Sequence, residues 1–198
     1  IEHLSKDLNL SPDERDNLKI AQIYRDNRGE KEYLDKVRRV LKHRKGIFNE
    51  LHELIFDLHP AHVLTTNYDD LLEQVIAHNA LPYSIIRHDQ DFPYAPARNL
   101  LVKIHGDLEE GNLVLTEDDY LLYENHRPLT VAFLRSIFTS YVVLFVGYSY
   151  SDQDLKQIVL QVKNILGKDF QRAYMLQPGS IDSLQEDFYR NKGVNVIA

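Results

Sequence analysis

Apolar residues recur along this chain in two rhythms, and the change falls near Pro60. Before it the spacing is helical. Ser11-Pro12-Asp13-Glu14 reads as a helix start, with serine as N-cap, proline at the first helical position and glutamate three residues past the cap. Leu18, Ala21 and Tyr24 follow at helical spacing, and Gly29 suits a C-terminal cap. Tyr33, Leu34, Val37, Val40 and Leu41 form the apolar stripe of a helix over residues 30–45. Ile47, Phe48, Leu51, Leu54, Ile55 and Leu58 form that of another, ended before Pro60.

After Pro60 short β-prone runs alternate with helical segments. Strands are predicted at residues 62–66, 83–87, 100–104, 141–146, 172–176 and 194–197. Helices are predicted at 69–78, 128–138, 151–166 and 181–191, with a short one started by the capping-box-like Thr116-Glu117-Asp118-Asp119. Between them, Glu110-Gly111-Asn112 reads as a turn leading into Leu113-Val114-Leu115. Residues 141–146 (YVVLFV) are apolar on both faces, as a central parallel strand should be. This alternation implies an α/β fold with a doubly wound, mostly parallel sheet. The expected organisation is a helical insertion or subdomain over 1–60 beside a core over 61–198, one domain overall.

Composition narrows the chemistry. With 198 residues the chain can bury an adequate core without covalent staples. It has no cysteine, which removes disulfides, a thiol nucleophile and Cys-ligated zinc from consideration and fits a cytoplasmic protein. The formal net charge of −7 repels nucleic acid and anionic membrane. No apolar run approaches the ~20 residues of a membrane span. One local exception is the run of six cations Lys36, Arg38, Arg39, Lys42, Arg44 and Lys45. It reads as a solvated helix face or subunit interface, with contact to a polyanion as the alternative.

Doubly wound sheets bind ligands at the carboxyl ends of their strands. Three strands here are followed by short polar residues, glycines and a histidine: Asn67-Tyr68-Asp69-Asp70, His105-Gly106-Asp107, and Gly147 to Asp152. Each has a plain reading. The first is also a turn with an Asx cap, the second a histidine satisfied at a strand end. In the third, Ser149, Ser151 or Asp152 is also an N-cap. A capped helix start still offers N–H groups to an anion, so the two readings of the third segment are compatible.

Four ordered segments together resemble the SIR2-like domain of bacterial anti-phage defence proteins, a branch related to sirtuins. They are Thr65-Thr66-Asn67-Tyr68-Asp69, Lys103-Ile104-His105-Gly106-Asp107, Leu115-Thr116-Glu117-Asp118-Asp119-Tyr120, and Leu144-Phe145-Val146-Gly147-Tyr148-Ser149-Tyr150-Ser151-Asp152. The resemblance covers about residues 60–198. It implies a Rossmann-like fold that binds NAD+ as substrate, uses no metal, and cleaves NAD+ to nicotinamide and ADP-ribose. It further implies a homo-oligomer or a fused or associated defence domain. His105 looks like the family's catalytic histidine and Asn67 like the asparagine near the nicotinamide ribose. Asp69 looks like the aspartate at the carboxamide end. Gly147 and Ser149 match a Gly-x-Ser loop that meets the dinucleotide. Thr66 and Gly106 join the expected cofactor-binding set.

Two departures bear on this. The chain has no Gly-Ala-Gly-x-Ser phosphate loop, and with Ile1 at its start the expectation is that residues ahead of it supply that loop. It also lacks the four-cysteine zinc module of deacetylating sirtuins. A degenerate module that only binds NAD+ or ADP-ribose is therefore the second reading, and protein deacylation the third. The chemistry of the first needs few parts. Nicotinamide leaves as a neutral base, so no general acid is required, and a neutral histidine can take a proton from a ribose hydroxyl or water. His105 and Asn67 are expected to line an open cleft.

Overall fold

The structure is a computed structural model describing residues 1–11, 16–42, 46–148 and 152–198. It has the helices and parallel strands of a Rossmann-like α/β fold, in two compact units, Ile1–Tyr123 and Glu124–Ala198. No helix among the described residues is long and apolar enough to cross a membrane.

The first unit opens with helices α1 (Glu2–Asp7), α2 (Asn17–Arg28), α3 (Glu30–Lys42) and α4 (Glu50–Asp57). Leu4, Ile20, Ala21, Tyr24, Tyr33 and Val37 bury the facing stripes of α1 to α3 in one cluster that also takes in Leu113. The cap of α2 is Asp16, whose carboxylate accepts from Leu18 N and Lys19 N. Of the start expected at Ser11, residues 12–15 lie outside the described residues. Gly29, with φ +81°, closes α2 as expected.

Helix α4 departs from its apolar pattern. Phe48, Ile55 and Phe56 face the core, but Ile47, Leu51, Leu54 and Leu58 are exposed. A two-turn helix offers the core one narrow face, so a stripe of six apolar residues cannot all be covered.

The sheet of this unit is β1 (His62–Thr65), β2 (Tyr83–Ile86) and β3 (Asn99–Lys103), in the order β1-β3-β2, all parallel. Helix α5 (Leu71–His78) connects β1 to β2, and a 3-10 helix over Asp89–Tyr94 lies between β2 and β3. The central position of β3 explains its apolar run: Leu101 is fully buried and packs with Phe56, Val63, Val75 and Ile76. Residues 113–115 form no strand; α6 (Glu117–Leu121) follows them with the expected Thr116 capping box, and then α7 (Tyr123–His126).

The second unit, which takes in most of α7, holds α8 (Pro128–Ser140), β4 (Leu144–Phe145), α9 (Gln153–Leu166), β5 (Ala173–Leu176), α10 (Ser183–Lys192) and β6 (Val194–Ile197). Its strands are parallel in the order β4-β5-β6. The expectation of a central strand over 141–146 is corrected. Among the described residues β4 pairs with β5 alone, and just two of its residues enter the ladder. Phe145 is buried while Val142, Leu144 and Val146 are exposed, the alternation of an edge strand covered on one face. Asp152 caps α9 by accepting from Leu155 N at 2.9 Å.

Leu101→Ala should cost about 2–5 kcal/mol of stability, since it empties the centre of the first sheet where neighbours on both sides prevent collapse. Urea denaturation of the two proteins measures the difference.

Candidate functional site

Parallel pairing sets the candidate residues side by side. Thr65 and Lys103 are register partners at the ends of β1 and β3. Asn67 and His105 each stand two residues further on, so both chains leave the sheet at the same edge carrying one of the two. Ile104 N donates to Thr65 O at 2.9 Å, extending the pairing one step past the strand ends. The β1–α5 loop then turns on Thr65, whose hydroxyl accepts from Asn67 N at 3.1 Å. Asn67 and Asp69 are exposed and Thr66 is half-buried. Asp69 also accepts from Leu71 N at 3.3 Å, an Asx turn leading into α5, whose N-cap is Asp70.

His105 differs from expectation. It is buried, 5% exposed, and does not line an open cleft. Tyr120 meets its ring edge-on with centroids 5.5 Å apart, and the Tyr68 ring, tilted by 34°, stands beside it at 6.4 Å. Tyr68 is itself held by a 2.6 Å hydrogen bond from its hydroxyl to Val114 O. An aromatic from the β1–α5 loop and another from α6 therefore wall the imidazole off from water. The next residue must be glycine for the turn to close. Gly106 has φ +84°, and a Cβ there would lie 2.1 Å from Asn112 O.

Sequence reasoning missed what holds these loops together. Lys103, with no exposed side-chain surface, puts its ammonium 2.8 Å from Glu73 Oε1 and 2.9 Å from Asp107 Oδ2. The same ammonium donates to Asp69 O and, at 3.4 Å, to Tyr68 O. Arg87, just past β2, adds its Nε at 3.3 Å from Asp107 Oδ2. Two cations and two carboxylates thus form a charge-balanced network, buried at Lys103, Glu73 and Asp107 and half-buried at Arg87. Asn112 completes it, accepting from Asp107 N and donating to Arg87 O, both at 2.8 Å. The signal was present: a lysine interrupting an apolar central strand, Leu100-Leu101-Val102-Lys103-Ile104.

Burial pushes the Asp107 carboxyl up. The Lys103 hydrogen bond and charge, donation from Glu109 N and the charge of Arg87 outweigh that and hold it below its ordinary 3.8.

The remaining expected site residues lie in the second unit. Gly147 follows β4, is exposed and has φ +63°. Ser149 lies outside the described residues. Part of the basic run is engaged within the first unit. Arg38 donates from Nε and Nη2 to Leu108 O and Glu109 O at 2.9 and 3.0 Å, and Lys36 pairs with Asp7. The side chain of Lys42 and residues 43–45 are not among those described. A cleft of about 530 Å³ in the first unit is lined by Tyr83 and Asn99, where β2 and β3 begin. It therefore lies at the opposite edge of the sheet from His105.

A profile of the SIR2-like domain matches residues 61–197. The chain belongs to the SIR2-like domain family. It is 30% identical over 195 residues to defense-associated sirtuin 2 of Bacillus subtilis, a match covering 96% of this chain and 19% of that protein. It is 31% identical over 129 residues to the NAD(+) hydrolase ThsA of Cytobacillus dafuensis, covering 64% of the chain and 26% of the relative. Against the NAD(+) hydrolase ThsA of Bacillus cereus it is 27% identical over 197 residues, 95% of the chain and 41% of the relative. The chain thus spans between a fifth and two-fifths of the length of these SIR2-like relatives.

The depressed Asp107 pKa makes stability pH-dependent in a defined direction. Well above 3.8 the carboxyl is ionised in both folded and unfolded states and its contribution is complete. Below that, the unfolded chain takes up the proton first, and the contribution fades until the folded-state group protonates too. Asp107→Asn should therefore be less stable than wild type near neutral pH, with the gap narrowing as pH falls below 3.8. Denaturant titrations at several pH values measure this; a gap constant down to the acid limit contradicts it.

Proposed function

We propose that this chain is a SIR2-like NAD+ glycohydrolase domain acting in anti-phage defence. The observation that carries the reading is the convergence of Asn67, Asp69 and His105 at the carboxyl edge of the parallel pair β1–β3, which is where such sheets bind ligands. The names of the relatives, an NAD(+) hydrolase and a defence-associated sirtuin, support it.

The donor set suits the nicotinamide end of NAD+. The exposed Asn67 amide offers both a donor and an acceptor to ribose hydroxyls without adding charge. The Asp69 carboxylate accepts from a carboxamide NH2. In the reaction the bond between C1′ and the pyridinium nitrogen breaks, and its electron pair stays on nicotinamide. Positive charge grows on the ribose, and water adds to C1′ with loss of a proton. His105 takes that proton, or orients the water through a ribose hydroxyl. Its walls, Tyr68 and Tyr120, exclude bulk solvent from this step. Because His105 is buried, substrate meets it only where the β1–α5 loop admits the ribose, which makes the placement of that loop part of the chemistry.

Asn67→Ala and His105→Gln should each lower nicotinamide release by at least ~100-fold in the full chain. Thermal melts run beside the assay separate lost chemistry from lost folding; Asn67→Ala, at an exposed position, should melt with the wild type. Activity of His105→Gln within a few-fold of wild type sinks the enzyme reading. Retained NAD+ binding with no hydrolysis in the wild type marks a binding module instead.

A further inference from the structure

We propose that Lys103 is a positioning residue, setting where Asn67 and Asp69 stand relative to His105; this rests on the reading of the site above. The ammonium has three protons and meets four oxygens, two carboxylate and two carbonyl. A lysine present only to neutralise Glu73 and Asp107 would need no carbonyls. These carbonyls belong to Tyr68 and Asp69, the residues directly after Asn67. On the other side Asn67 is fixed by its own N–H to the Thr65 hydroxyl. The backbone on both sides of Asn67 is therefore clamped to the strand ends, and the clamp on the outer side is a side chain two residues before His105.

Energetics point the same way. Burying ions rarely stabilises more than an apolar side chain of like volume, and β3 is otherwise apolar in the preceding three positions. What the lysine adds is direction: carbonyls of one loop, a carboxylate from the first turn of α5 and another from the turn beyond His105 all converge on one nitrogen. Tyr68, which walls the imidazole, is placed by the same contact. A displacement of about 1 Å in such a loop is enough to cost ~100-fold in rate.

The test compares wild type with Lys103→Arg and with the charge-balanced pair Lys103→Met/Glu73→Gln, which leaves Asp107 its Arg87 partner. Hydrogen exchange is read in residues 66–70 and in 100–102, with steady-state NAD+ cleavage alongside. In the double variant, exchange in 66–70 should quicken at least ~10-fold while 100–102 keep their protection. The kcat should fall at least ~30-fold with KM rising less than ~5-fold, and Lys103→Arg should recover part of the kcat by restoring donors to the carbonyls. Unchanged exchange in 66–70, or protection lost evenly through the first unit, overturns the proposal. If the wild type does not cleave NAD+, the functional reading falls, and the exchange pattern alone decides whether Lys103 holds the loop.

Discussion

A cation with no access to water has to be surrounded by oxygen, and in the first unit that requirement falls on Lys103. Its ammonium draws together the β1–α5 loop, the first turn of α5 and the turn beyond β3, while Arg87 brings in the end of β2. These segments are 30 to 35 residues away in sequence where they precede Lys103, as with Glu73, Tyr68 and Asp69. No apolar contact at the same place would fix their directions, because burial of apolar area is indifferent to orientation. Removing one partner from such a network leaves an uncompensated buried charge, a loss on the order of 3–5 kcal/mol. The surroundings of the candidate site are thus tied to the oxygens that this buried cation collects at the end of a central strand.

Much of the fold around this network was legible in the sequence, for definite reasons. Strand and helix periods differ by nearly a factor of two, so the alternation after Pro60 identified β1, β2, β3, β5 and β6 to within a residue or two. The Thr116 capping box formed as read, because both of its hydrogen bonds lie within four residues of sequence. Asp152 emerged as the cap of α9 from the three residues that qualified. The sequence placed Asn67 and His105 on one edge of a parallel sheet; that β1 and β3 are adjacent, which brings the two loops together, comes from the strand order.

What escaped depends on neighbours that a linear pattern does not name. Residues 141–146 are as apolar as a doubly covered strand, yet β4 stands at an edge; composition reports what a strand tolerates, and pairing decides what covers it. The leucines of α4 follow a helical stripe wider than the face the core offers. His105 was expected in an open cleft because it follows the carboxyl end of a strand, where such sheets bind ligands, whereas Tyr68 and Tyr120 reach it from other elements. The lysine network was hidden for the same reason: Glu73 and Arg87 are ordinary surface-type residues until the fold places them beside Lys103.

The strand order β1-β3-β2 has a consequence for how the chain acquires its fold. Adjacent strands lie about 4.8 Å apart, so β1 and β2 must wait roughly twice that distance apart for the strand that arrives last. The β1-α5-β2 segment cannot complete a sheet by itself, and closing it early would exclude β3 altogether. Assembly therefore pivots on the final strand of the three, the one that bears the lysine. The sheet of the unit is complete only with residues 99–103 seated between its two earlier strands. Lys103 on that strand is the outer anchor of the loop with Asn67, so those contacts of the loop need β3 in place.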